Sequence, residues 1–253
     1  STAEPWHVWI EHPELAEHVD FITVHMLPYW EGVEVEAAVG YVTDKMRRLE
    51  EAFPGKPIVI GEVGWPRDGR TRDSAVASTS NQALFLRRFL DHARKQGYAY
   101  YVMEAFDQPW KERSEGQVGA YWGVYDADRQ QKFEFRAPIV RVPNWQVLAA
   151  SSVITAAILL LLFYFHSRTL RNRGRSFLAI VVYATATLVT WILYDFSQQY
   201  LTVSSVLVGA VMLVGMTGVI AVLLAEAHEW AEAHWVTSHG RIFQPTRVPD
   251  SRL

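Results

Sequence analysis

The chain has 253 residues, 50% of them hydrophobic, a formal net charge of -3 and no cysteine. That length accommodates one large domain or two smaller ones, the missing cysteines exclude disulfides and thiolate chemistry, and the absence of a basic face excludes the footprint of a nucleic-acid binder. A mean hydropathy near zero hides an asymmetry, since residues 1 to 144 are rich in charge and aromatics whereas 145 to 225 hold long apolar stretches.

The first residue is serine, and no charged segment with a short apolar core stands before the charge-rich part, so no export signal is read and a chain cut at its N-terminus is expected. Ser1-Thr2-Ala3-Glu4-Pro5-Trp6 ends on an acid and an indole. Phe21-Ile22-Thr23-Val24-His25 is β-branched and apolar and reads as a strand, followed by Met26-Leu27-Pro28-Tyr29-Trp30. From Val33 to Phe53, Val35, Ala38, Val39, Val42, Met46, Leu49 and Phe53 recur at helical spacing. Pro57 to Gly61 reads as the next strand and runs into Glu62-Val63-Gly64-Trp65-Pro66. Ser80 opens a helix with Ala83, Leu86, Phe89, Leu90 and Ala93 on one face, and Gly97 closes it. Ala99 to Met103 is a further strand, leading into Glu104-Ala105-Phe106-Asp107-Gln108-Pro109-Trp110-Lys111.

Strands alternating with amphipathic helices imply a parallel α/β sheet with crossovers, and near-continuous apolar strands predict cover on both faces. No Gly-x-Gly-x-x-Gly or Walker loop follows a strand, so a nucleotide-binding sheet is disfavoured and no cofactor is expected. Each strand instead ends in acids and aromatics. A (β/α)8 barrel builds its site from the loops at those ends. Aromatic faces suit sugar rings, and paired carboxylates suit glycoside cleavage. Taken singly, each acid reads equally well as a salt-bridge partner or a helix cap.

Three charge-free stretches follow, Trp145 to Phe165, Phe177 to Tyr194 and Phe196 to Ala225, each near or above the length that crosses a bilayer. Membrane helices are expected at about 145–165, 177–195 and 203–225. The connection from His166 to Ser176 carries Arg168, Arg171, Arg173 and Arg175, and short arginine-rich loops stay in the cytoplasm. This places residues 1–144 and the Ser197 to Thr202 connection outside, and the C-terminus inside. Trp145, Trp191, Tyr194, Trp230 and Trp235 fit interfacial anchors.

In Ala225 to Trp235, His228 has Glu232, not a second histidine, four residues on, so the segment reads as a charged juxtamembrane helix and no metal site is expected. Residues 226–253 are read as that helix plus a linker, in which Pro245 and Pro249 discourage helix.

The strand ends carry a family resemblance. Residues 1 to about 136 resemble the C-terminal half of glycoside hydrolase family 17, the β-1,3-glucanases. The most specific match is Ile58-Val59-Ile60-Gly61-Glu62-Val63-Gly64-Trp65-Pro66, similar to the segment closing the family's seventh barrel strand, which implies Glu62 as catalytic nucleophile with Trp65 beside it. His25-Met26-Leu27-Pro28-Tyr29-Trp30 resembles the sixth strand end, implying sugar contacts from His25, Tyr29 and Trp30. Met103 to Lys111, with Gly119-Ala120-Tyr121-Trp122-Gly123-Val124-Tyr125-Asp126 after it, resembles the eighth, implying contacts from Glu104, Asp107, Trp110, Lys111 and Glu115. Ser1 to Trp6 resembles the fifth, with Glu4 a further contact.

The family's acid/base glutamate follows an asparagine, and no Asn-Glu pair occurs in this sequence. The resemblance therefore implies half a (β/α)8 barrel followed by three membrane helices, with the acid/base residue upstream of Ser1. The arrangement also resembles bacterial inner-membrane proteins that fuse this domain to a cytoplasmic family 2 glycosyltransferase making β-glucan. The implied partners are β-glucan, the lipid bilayer and that glycosyltransferase domain, with no nucleic acid. The implied activity is retaining hydrolysis or transglycosylation of β-1,3-glucan. The alternatives are a non-catalytic module that binds or guides glucan, and a structural role.

Overall fold

The computed structural model describes residues 1–142, 144–166, 170, 172–200 and 203–235, without side chains at 162–166, 204–205 and 235. The chain divides into two compact units, Ser1–Pro143 and Asn144–Leu253.

The first unit alternates strand and helix: β1 (Ala3–Pro5), α1 (Trp6–Glu11), a 3-10 helix (Pro13–His18), β2 (Ile22–Met26), α2 (Val35–Ala52), β3 (Ile58–Val63), α3 (Thr79–Gln96) and β4 (Ala99–Val102). Two 3-10 turns, Pro109–Lys111 and Gln117–Tyr121, flank the short α4 (Glu112–Glu115). All pairings are parallel, in the order β1-β2-β3-β4. The sequence periodicity explains the layers. On α2 the buried positions are Val35, Ala38, Val42, Met46 and Leu49, and on α3 they include Phe85, Leu86, Phe89 and Ala93. These pack in one cluster with Ile22, Val24, Met26, Ile60 and Val63 of the sheet, each large side chain contributing roughly 1.5–3 kcal/mol by leaving water. The Ser78 hydroxyl caps α3 by accepting the Asn81 N–H at 3.1 Å, and Gly97 ends it with φ 71°, a left-handed turn suited to glycine.

The sheet is covered on one face only among the described residues, whereas the apolar strands predicted cover on both. Thr23, His25, Gly61 and Glu62 are half-buried, because β2 alternates Ile22, Val24 and Met26 inward with Thr23 and His25 on the other face.

The second unit contains α5 (Trp145–His166), α6 (Asn172–Ser197) and α7 (Val203–Trp235). Ala156, Val182, Ala186 and Leu224 form one buried cluster, and Leu170, Leu178 and Ala231 another. Asn172–Ser197 and Val206–His234 are long and apolar enough, by length and composition, to cross a membrane; the described apolar part of α5, Trp145–Leu161, is shorter. Among the described residues, two helices meet this length and composition where three spans were expected. Helix α6 begins before the expected span, with Arg173 and Arg175 in its first turn, and α7 runs unbroken past residue 226, where a separate helix was expected. Trp145, Trp191 and Trp230 are each about half exposed, and Trp230 meets Phe177 at 5.1 Å. Arg168 and Arg171 of the arginine-rich connection, Leu201 and Thr202 between α6 and α7, the Trp235 side chain and the proline-containing tail all lie outside the described residues.

Candidate active site

Strand β3 extends two residues beyond its expected end, so Glu62 lies within the sheet. A regular strand would turn Glu62 to the same face as Ile60, two residues earlier, into the packed layer under α2 and α3. It does not, because the register slips: Val24 pairs with Ile60, but the next residue, His25, pairs with Glu62. The bulge absorbs Gly61, leaves Ile60 and Val63 fully buried, and re-aims the carboxylate onto the open face. Glycine is required there, because a Cβ on residue 61 would meet the Thr23 methyl and the His25 ring edge. On that face His25 Nδ1 lies 3.3 Å from Glu62 Oε2, and the two side chains keep 27% and 38% of their exposure.

Gly64 serves the neighbouring junction. A Cβ there would collide with the Met103 carbonyl oxygen and come within 3.3 Å of the Trp122 ring, so the glycine lets the ends of β3 and β4 close together, sealed by Met103 N–H donating to the Val63 carbonyl at 2.8 Å. This places Glu104 at the next strand end. Its Oε2 accepts from Lys111 Nζ at 2.8 Å and from the Gln108 amide, while its Oε1 has no hydrogen-bond partner among the described residues. Burial raises the Glu104 pKa above the ordinary carboxylate value, opposed by the Lys111 ammonium.

Asp107 does something else. Its carboxylate is wholly buried and accepts from Lys132 Nζ at 2.6 Å and the Gly123 N–H at 2.8 Å, with Arg67 Nε at 3.3 Å. Burial pulls the Lys132 ammonium down to about 8 in spite of that partner. The expectation that Asp107 contacts sugar is thus corrected: its oxygens are sealed in a charged clamp that holds the segment around Trp122 to the end of β4. Lys111 pairs with Glu104, not with Asp107.

Two of the expected cleft aromatics are fully buried. Tyr29 donates its hydroxyl to the Arg70 carbonyl and meets Trp30, Trp65 and Trp122 edge to face, and Trp65 Nε1–H donates to the Val76 carbonyl at 3.1 Å. Neither offers a ring face to a sugar; they back the site. Trp30 is half-buried beneath the Arg72 guanidinium, which lies 5.6 Å from its ring centre. Trp110 is 68% exposed, with the Lys111 ammonium 5.9 Å from its ring centre. Glu115 is exposed on α4. Glu4 pairs with Val24, one residue out of phase with His25 and Glu62, which puts it on the opposite side of the sheet. The structure thus brings together His25, Glu62, Glu104 and Lys111 at adjacent strand ends and adds Gln108, whose place inside the Glu104 to Lys111 stretch was its only signal. Among the described residues no group of three acids or histidines could hold a metal.

Residues 1–123 match the family model described as BtgE/BtgC glycoside hydrolase domain. Similar proteins include a glucan 1,3-beta-glucosidase of Arthroderma benhamiae, 34% identical over 128 residues, 46% of this chain and 42% of its own length. Another is a glucan 1,3-beta-glucosidase of Saccharomyces cerevisiae, 28% identical over 142 residues, covering 52% and 45%. Among solved structures, the glycoside hydrolase family 17 beta-1,3-glucanosyltransferase from Rhizomucor miehei shares 30% identity at a TM-score of 0.49, covering 54% of this chain and 50% of that one. The chain spans half or less of the length of these relatives.

Proposed function

We propose that residues 1–123, which match the BtgE/BtgC glycoside hydrolase domain, belong to glycoside hydrolase family 17, and that the protein cleaves or transfers β-1,3-glucan by a retaining mechanism, with Glu62 as nucleophile. The observation that carries this reading is the bulge at Gly61, which turns one carboxylate out of the core onto an open face beside His25. Glu62 attacks the anomeric carbon to give a covalent glycosyl-enzyme, which water or a second sugar resolves. Glu104, fixed by Lys111 and Gln108 on one carboxylate oxygen, lines the sugar site at the end of β4. Trp110 supplies the stacking platform for an acceptor sugar.

A retaining mechanism needs a second carboxylate about 5 Å from the nucleophile. Asp107 is sealed among cations and Glu4 lies on the other side of the sheet, so on this reading the acid/base glutamate is contributed by the remaining strands of a (β/α)8 barrel of which β1 to β4 are one half. The relatives' length supports this, since this chain spans 42% and 45% of two of them.

The two long apolar helices support a membrane anchor. We place α5 as a third span and the catalytic unit outside the cytoplasm, with Arg173 and Arg175 on the cytoplasmic side. The cytoplasmic end then faces a glycosyltransferase domain of a β-glucan synthase in the inner membrane.

A second reading, a non-catalytic glucan-binding or guiding module, is favoured by the lack of a free second carboxylate at the described strand ends. Incubating the full-length protein with a laminari-oligosaccharide separates the two. Shorter products are expected from hydrolysis, and products longer than the substrate from transfer; an unaltered oligosaccharide that nonetheless binds would overturn the enzymatic reading in favour of the second.

A further inference from the structure

Histidine 25 was expected to touch sugar, yet its imidazole lies against β3. Its Nδ1 sits 3.3 Å from Glu62 Oε2. The opposite ring edge, Cδ2 and Nε2, lies 3.4 and 3.6 Å from where a Cβ on residue 61 would stand, so the imidazole packs along β3 at the bulge, where the glycine spares the neighbouring Thr23 methyl a clash. We propose that His25 is a positioning residue for Glu62, an inference that rests on Glu62 being the nucleophile.

Nδ1 faces Oε2 at 3.3 Å; on this proposal it holds that oxygen in place and leaves Oε1 as the attacking oxygen. In the first half-reaction the glycosidic bond breaks, its oxygen takes a proton from the acid/base carboxyl, and Oε1 bonds to the anomeric carbon. Oε2 becomes the carbonyl oxygen of the ester, still facing Nδ1–H. In the second, water or a sugar hydroxyl gives its proton to the acid/base carboxylate and bonds to the anomeric carbon, and the ester electrons return to Glu62. His25 keeps its proton throughout and never touches the sugar, so its removal misplaces the nucleophile without removing a substrate contact.

The test compares His25→Ala, His25→Asn and His25→Gln in the full-length protein, with laminari-oligosaccharide as substrate. An asparagine amide reaches the position of Nδ1, whereas a glutamine amide reaches that of Nε2. His25→Ala is expected to lose about 100-fold in kcat, the scale of a misplaced reacting group, with KM within about twofold. His25→Asn recovers most of that loss and His25→Gln does not. A rise in KM with kcat unchanged, or equal loss in the asparagine and glutamine variants, would overturn the proposal. If His25→Ala fails to fold, the asparagine to glutamine ratio alone decides. Turnover that survives Glu62→Gln would instead remove the nucleophile reading itself, whatever the histidine variants do.

Discussion

Glu62→Gln in the full-length protein is expected to lower turnover by about 10⁴-fold or more while glucan binding stays measurable. The amide has the shape of the carboxylate but cannot form the ester, so the covalent route is closed and only binding and orientation remain. Losses of that size are typical when a nucleophile is removed from an otherwise intact site. The bulge and both neighbouring glycines are untouched by the change, so the fold at β3 is expected to persist. Steady-state kinetics alongside glucan-affinity measurements check this, and unchanged turnover would sink the assignment.

Asp107→Ala is expected to cost the first unit about 3–5 kcal/mol, the scale for breaking a buried ion pair by removing one partner. The substitution strands Arg67 and Lys132, whose side chains are only 12% and 6% exposed, and leaves the Gly123 N–H without its acceptor. Lys132 softens the loss, because burial already holds its ammonium at about 8 and deprotonation is cheaper there than in water. Asp107→Asn still accepts from Gly123 and should lose less. Chemical denaturation followed by the fluorescence of the buried Trp9, Trp65 and Trp122 measures it. A loss below about 1 kcal/mol would show that the clamp is not structural.

Much of the first unit was legible because its signals are local. Helical spacing found α2 and α3, Gly97 closes the second of them as read while its cap is Ser78, two residues before the expected start at Ser80, and β-branched runs found β2, β3 and β4 within one or two residues. What escaped was long-range. The two cations on Asp107 lie 40 and 25 residues away along the chain, so nothing near Asp107 distinguished a buried clamp from a sugar contact. Tyr29 and Trp65 read as cleft aromatics because composition at a strand end does not say which side of the sheet a ring will take, and both rings found carbonyl acceptors for their O–H and N–H inside the core.

Glu62 itself shows the limit most clearly. Alternation alone would bury it with Ile60; only the slip in register against β2 exposes it, and that slip depends on Gly61 fitting between Thr23 and His25. The glycine was visible in the sequence, but its purpose needed the partner strand. The second unit was legible as apolar length, whereas the helix boundaries moved because helices continue through charged residues such as Arg173 and Glu226 when the backbone hydrogen bonds allow.

The most direct test of the central claim is covalent trapping. The full-length protein would be reacted with a 2-fluoro glucoside that forms the glycosyl-enzyme but resolves slowly, then digested and sequenced by mass spectrometry. A single sugar adduct on Glu62 is the expected result; an adduct on another carboxylate, with Glu62 unmodified, would contradict it.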